Sequence, residues 1–234
     1  MLTVAILAGG LATRLRPLTT MTPKSLIEVN GEPFIVHQLR LLRVNGARRV
    51  VLCVGHLGEM IEEIVADGAA FGLEVSYSHD GDSLLGTGGA IKKALPLLEE
   101  SFFVAYGDSY LPCNYEAVAA SFEKAKKQAL MTVFWNKNRW DTSNVEFNGH
   151  DIIAYDKRSR SPRMQFIDYG LGVFRAEALA AVRNDPPFDL ADVYRDLLTR
   201  GELAGFEVRQ RFYEIGSKDG LNETAAYLAR AARR

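Results

Sequence analysis

Strand-length apolar runs recur along the first half of the chain, at Thr3-Ala8, Arg49-Val54, Leu73-Ser78, Phe102-Tyr106 and Leu130-Trp135, and helical patterns separate most of them. Short apolar runs bounded by turn residues read as buried strands, and strands alternating with helices imply a mostly parallel sheet flanked by helices, an α/β architecture. One helix is clear in outline. Pro33 suits a first helical turn, Phe34, Ile35, Leu39 and Leu42 can share a face against the sheet, and Gly46 suits a stop. After Trp135 the texture becomes polar and the runs shorten, at Val145-Phe147, Ile152-Tyr155 and Gln165-Phe174. These predict antiparallel or mixed strands rather than further strand-helix units. Residues 1–135 are therefore expected to form one part of a single domain spanning 1–234, and residues 136–216 a small subdomain. Residues 217–234 should be a packing helix, with Leu221, Ala225 and Leu228 at helical spacing and Arg230, Arg233 and Arg234 at the end that favours positive charge.

Composition narrows the function classes. The chain has 234 residues, 47% hydrophobic and 24% charged, enough for one domain with a proper core. Lys+Arg number 28 against 29 Asp+Glu. No overall positive field draws the protein to nucleic acid or an acidic membrane, so anion binding must be local. Cys53 lies within an apolar run and Cys113 in a polar turn, which suggests no disulfide framework and fits a reducing cytoplasm. Leu2 to Ala8 is only strand length before Gly9-Gly10, so neither secretion nor membrane spanning is expected.

Chemistry concentrates after the first strand. Leu7-Ala8-Gly9-Gly10-Leu11-Ala12-Thr13-Arg14-Leu15-Arg16-Pro17-Leu18-Thr19 combines a glycine pair, a hydroxyl and two arginines. Glycines let backbone N–H groups surround phosphate oxygens, and guanidiniums neutralise charge on oxygens during transfer. The spacing matches neither a dinucleotide-binding G-x-G-x-x-G nor a P-loop. Pro23-Lys24-Ser25 then supplies a lysine, held behind a proline, that can bridge two phosphates as a point charge. The strand Phe102-Tyr106 delivers Gly107-Asp108 to its C-terminal end, where open α/β sheets bind ligands. Magnesium takes one or two protein carboxylates and completes its shell with phosphate and water, so Asp108 can begin such a site. The four histidines show no ligand spacing, which argues against zinc.

The glycine-arginine segment with Pro23-Lys24 resembles the signature of the sugar nucleotidyltransferase family. The resemblance runs from Leu7 to Gly216, and its look is nearest to short heptose 1-phosphate guanylyltransferase-like and N-acetylmuramate 1-phosphate uridylyltransferase-like members. It implies a Rossmann-like, GT-A-like fold and an enzyme that joins a nucleoside monophosphate from an NTP to a sugar 1-phosphate with Mg2+. By resemblance, Leu7, Ala8, Gly9, Gly10, Thr13 and Arg14 hold the nucleotide, with Arg14 and Lys24 catalytic. Residues 1–135 become the nucleotide part and 136–216 the sugar-phosphate part. The turn containing Gly86, Thr87 and Gly88 borders the base, although a flexible helix entry accounts for its glycines equally well. Glu214, in Phe212-Tyr213-Glu214-Ile215-Gly216-Ser217, stands where the family has an aspartate and implies a second metal ligand. Lys24, Asp156, Lys157, Tyr169 and Gly170 are implied for the sugar phosphate. As plain sequence, Asp156-Lys157-Arg158-Ser159-Arg160 is also what a solvated charged loop looks like.

Three competitors follow from particular residues. Asp80-Gly81-Asp82 offers the acid pair of a metal-dependent glycosyltransferase, but from a loop after Leu73-Ser78. Trp135, Trp140 and Tyr155 would suit a quaternary ammonium in a phosphocholine cytidylyltransferase-like enzyme. A non-catalytic nucleotide-sugar-binding regulator would share the fold. The base, the sugar and self-association into a homo-oligomer stay open.

Overall fold

The computed structural model describes residues 1–10, 21–182 and 186–231. The elements run β1 (Thr3–Leu7), β2 (Glu28–Val29), β3 (Glu32–Pro33), α1 (Phe34–Val44), β4 (Arg49–Val54), α2 (Gly58–Val65), β5 (Glu74–His79), α3 (Gly86–Ala94) and β6 (Ser101–Tyr106). They continue with β7 (Ser109–Tyr110), α4 (Tyr115–Ala125), β8 (Ala129–Trp135), β9 (Val145–Phe147), β10 (Ile152–Tyr155) and β11 (Phe166–Arg175). The chain ends with α5 (Ala176–Ala180), α6 (Leu190–Thr199), β12 (Leu203–Val208), β13 (Tyr213–Glu214) and α7 (Lys218–Ala231).

Strands β5, β4, β1 and β6 pair in parallel, in that order across the sheet. Antiparallel β11 follows, then β8, then β12, which is parallel to β8. The mostly parallel sheet is as expected. Helices cover both faces. Ile35, Leu39, Leu42, Ile61, Val118 and Phe122 belong to one buried cluster, and Ala90, Ile91, Leu179, Val193 and Leu197 to another. Phe34 departs from the face predicted for α1: it joins Val29, Ile215 and Leu228 in a third cluster that docks α7.

The second half divides between expectation and correction. Strands β9, β10 and β11 pair antiparallel, as read. The unit α6–β12, however, returns to the main sheet in parallel register with β8, from Leu203 opposite Ala129 to Val208 opposite Phe134. Gly205 interrupts the apolar run of β12, and Phe147 and Ile152 fill the space beside it. A strand broken by glycine and only partly buried carries a weak alternation signal.

Register sets the site. Leu7 stands opposite both Cys53 and Tyr106, so three parallel strands end side by side. Ala8 N–H donates to Cys53 O and Gly107 N–H to Leu7 O, which ties together the loops that leave those ends. The crevice beyond the carboxyl ends of parallel strands is where open α/β sheets take ligands.

Candidate active site

A cavity of about 350 Å3 opens at these strand ends. Leu7, Ala8, Gly9, Gly10, Lys24, Gly86, Thr87 and Asp108 line it, together with Ser25, Cys53, Asp80, Leu84, Ala90, Tyr106, Gly107 and Gly216. Much of the expected nucleotide site is thus gathered in one place. Thr13 and Arg14 lie outside the described residues, as does Ala12.

Lys24 owes its position to local sequence. Pro23, with φ −56°, leads into a 3-10 turn over Lys24–Leu26, closed by Leu26 N–H to Pro23 O. From there Lys24 Nζ reaches 2.5 Å from Asp108 Oδ2. Asp108 is fixed from behind, its carbonyl accepting the Ile215 N–H. That bond and the β7–β13 pairing of Ser109 with Glu214 bring the two candidate metal-binding segments together. The Glu214 carboxylate itself turns toward its own loop, taking Gly216 N–H on Oε2 and the Ser217 hydroxyl on Oε1 at 2.7 Å. Ser217 Oγ in turn accepts Gly220 N–H at the start of α7.

The donor set suits a hard cation bound mainly by its ligand. Among the described residues no three His, Cys, Asp or Glu side chains gather, while magnesium needs one or two carboxylates. The Lys24 ammonium already sits where positive charge on Asp108 belongs, standing in for such a cation.

The glycines in the first turn of α3 have a packing explanation. A Cβ at Gly88 would lie 2.4 Å from Phe188 Cε2, and one at Gly86 2.5 Å from Phe188 O. Gly88 N–H donates to Phe188 O. Gly88 is absent from the cavity wall, which instead uses Gly86, Thr87 and Ala90. The Thr87 hydroxyl is occupied by Leu190 N–H at 2.8 Å.

Asp80 lies in the loop after β5, as read, but belongs to the cavity wall, where the sequence reading gives it no part. It is buried in the cavity wall, its Oδ2 near Gly9 and Gly55 and 3.4 Å from Leu85 N. Burial pushes its carboxyl up, against Leu85 N–H and Lys93. Its place after the strand is legible in the sequence; that β5 ends level with β4 and β1 is set by the sheet register.

Of the expected sugar-phosphate residues Lys24 lines this cavity, while Asp156, Lys157, Tyr169 and Gly170 are not in its wall. Lys157 Nζ lies 3.4 Å from the Tyr106 hydroxyl, with Tyr106 itself in the wall. Burial works against the ammonium, but Tyr106 and Asp168 outweigh it and raise Lys157 to about 12. Asp156 is bound into its own turn, Oδ1 accepting Arg158 and Ser159 N–H at 2.6 and 2.8 Å. Those bonds, Ser159 first, hold its carboxyl below the usual range. The expectation for Tyr169 needs correction. Its ring is buried against Phe134 and Phe212, so any contact from this position comes through backbone. The reason is the alternation along β11, which puts Tyr169 on the same buried face as Ile167, Leu171 and Val173.

An aromatic cage for a quaternary ammonium does not assemble. Tyr155 is buried, while Trp135 and Trp140 already carry Lys137 and Arg211 over their rings.

The nucleotidyl transferase family model matches residues 3–229. The chain belongs to this family. It is similar to the N-acetylmuramate alpha-1-phosphate uridylyltransferase of Neisseria meningitidis, 29% identical over 227 residues covering 94% of this chain and 96% of that protein. The catalytic subunit beta of mannose-1-phosphate guanylyltransferase from Danio rerio is 27% identical over 238 residues; the match covers 95% of this chain and 64% of that protein. Among solved structures, HddC from Yersinia pseudotuberculosis complexed with GMP-PN superposes with a TM-score of 0.81 at 23% identity, covering 97% and 100% of the two chains. The inositol-1-phosphate CTP transferase from T. maritima gives 0.82 at 23% identity over 97% and 94%. The family resemblance read from the glycine-arginine loop, and the fold it implied, are borne out. Among the described residues no helix is long and apolar enough to cross a membrane.

Proposed function

We propose that the chain transfers a nucleoside monophosphate from an NTP to a sugar 1-phosphate, making a nucleotide-activated sugar and pyrophosphate for cell-envelope or polysaccharide precursors. The observation that carries this reading is the approach of Lys24 Nζ to Asp108 Oδ2 at 2.5 Å in a cavity walled by the Leu7–Gly10 backbone. A cation and a carboxylate side by side at a glycine loop suit a polyphosphate with its counter-ion. The relatives' names support the sugar 1-phosphate as acceptor.

An oxygen of the acceptor phosphate attacks the α-phosphorus, and the bond to the β-phosphate oxygen breaks as pyrophosphate departs on the opposite side. Ala8, Gly9 and Gly10 line the triphosphate with backbone, and Gly86 and Thr87 border the nucleoside. Lys24 contacts phosphates of both substrates and Lys157 draws in the acceptor phosphate. Arg14, by its motif, neutralises the transferring phosphoryl group. Asp108, joined by Glu214 after its carboxylate turns, would hold Mg2+. When bound, that ion supplies charge neutralisation at the phosphate oxygens. Catalysis here is alignment of two anions without a covalent intermediate. Both cysteines are free, which supports work in the cytoplasm.

Pyrophosphate release with magnesium, each NTP being tried against a panel of sugar 1-phosphates and phosphocholine, tests the reading. Release that needs both substrates and is lost in Asp108→Asn is expected. Nucleotide binding without turnover across the panel would favour a regulatory protein instead.

A further inference from the structure

Behind Lys157 lies a carboxylate that the proposed reaction does not use. The Asp168 side chain is 5% exposed, whereas that of Lys157 is 42% exposed, and Nζ lies 3.8 Å from Asp168 Oδ2. Among the described residues Lys157 is the cation paired with this acid. A buried carboxylate without a compensating charge is costly, so the pair holds itself together.

The surroundings of Asp168 aim it. Its N–H donates to Asn144 Oδ1 at 2.9 Å, and its Oδ1 accepts Gly170 N–H at 3.0 Å. Oδ2 takes the Tyr155 hydroxyl at 3.4 Å. Three neighbours thus orient the acid, and the Gly170 bond closes the turn where β11 loses register with β8. On its other side the ammonium meets Tyr106, at 3.4 Å from the hydroxyl and 5.3 Å from the ring centroid. Tyr106 also lines the nucleotide cavity. The lysine is therefore held between a buried acid and the cavity wall while its outer side stays open to solvent. A long flexible side chain held this way has lost much of its rotamer freedom before an anion arrives, and binding is stronger when that cost is already met.

We infer that Asp168 is a positioning residue for the acceptor, which together with Tyr106 holds the Lys157 ammonium beside the nucleotide cavity to receive the anionic group of the second substrate. Asp168 acts through Lys157, since its own negative charge and burial keep it from the anion. The inference rests on the function proposed above in taking that anion to be the acceptor phosphate.

The test uses the full chain and the acceptor found in the pyrophosphate-release panel. Asp168→Asn keeps the shape and an oxygen for Gly170 while removing the charge. The acceptor KM should rise about tenfold or more with the NTP KM within about twofold, and the effect should vanish in a Lys157→Met background. Tyr106→Phe, which keeps the ring, should raise the acceptor KM severalfold and serves if Asp168→Asn does not fold. An unchanged acceptor KM, or equal losses for both substrates with a lowered Tm, overturns the inference and leaves Asp168 a structural residue. A readout independent of turnover separates this from failure of the transfer reading. After reductive 13C-methylation, the Lys157 NMR signal should titrate at lower pH in Asp168→Asn than in the parent chain. An unmoved midpoint refutes the positioning even in an active enzyme; a moved midpoint in a chain that turns over no acceptor upholds the contact and defeats the proposed reaction.

Discussion

Lys24 and Asp108, 84 residues apart in sequence, meet at 2.5 Å through Nζ and Oδ2. Their side chains are 19% and 38% exposed, so the pair sits at the cavity surface rather than in the core. Partly exposed ion pairs contribute about 0–1 kcal/mol, whereas a group that neutralises transferring phosphates contributes far more to the rate. Asp108→Asn should thus shift Tm by no more than about 4 °C while lowering kcat on the order of a hundredfold or more. Thermal melts and pyrophosphate release on one preparation check both halves, and a collapse of Tm would recast Asp108 as structural.

Ser25 offers a contrasting case. Its hydroxyl is buried in the cavity wall and has no hydrogen-bond partner among the described residues. An unsatisfied buried hydroxyl costs about 1–3 kcal/mol, and a bond to a charged phosphate recovers it. Ser25→Ala should leave Tm unchanged or raised yet weaken NTP binding roughly tenfold by calorimetry. Wild-type affinity in that variant would remove Ser25 from the nucleotide site.

Gly220, in the first turn of α7, makes room for the other acid. A Cβ there would lie 1.8 Å from Glu214 Oε1. Alanine normally stabilises a helix interior by about 1 kcal/mol over glycine. Here Gly220→Ala should do the reverse, lowering Tm and raising the magnesium concentration needed for half-maximal rate, because Glu214 must move. A higher Tm with unaltered magnesium dependence would mean that the carboxylate had other space.

The cysteines permit a direct chemical check. Burial, with a further push from Asp80, raises the Cys53 thiol to about 12, and burial raises Cys113 to about 12 as well. A raised thiol stays protonated at pH 8, and the thiolate is the reactive form. Neither residue should react appreciably with iodoacetamide at pH 8 in the folded chain, and both should do so in denaturant. Mass spectrometry of the labelled peptides decides it.

The sequence was most informative where one residue type has one dominant use. The five apolar runs became strands within a residue or two, and Pro23-Lys24 led to a fixed cation because proline sets the entry to its turn. The sequence was weakest where a side chain's direction depends on distant partners. Tyr169 points into the core with Ile167 and Leu171, where Phe134 and Phe212, from other strands and loops, receive its ring. Asp80 read as a loop acid after a strand, and its burial in the cavity wall follows from β5 ending level with the cavity. Gly86 and Gly88 read as a bed for a nucleobase, yet the bulk pressing on them is Phe188, about a hundred residues later. Lys157 looked like one charge in a solvated run because nothing local announces the acid beneath it.

The placement of β11 bears on how this chain can be cut. It fills the slot between β6 and β8, which are both made by the first 135 residues and do not pair with one another. A fragment ending at Trp135 would keep the residues of β6 and β8 but leave their facing edges unpaired and the turn at Gly86–Gly88 without Phe188. Unpaired edges of that kind invite aggregation. The nucleotide-side residues are therefore not a portable module: grafts or truncations that separate them from β11 and the Phe188 segment should give insoluble protein, and chimaeras between relatives should be joined in surface loops that leave that central strand with its own neighbours.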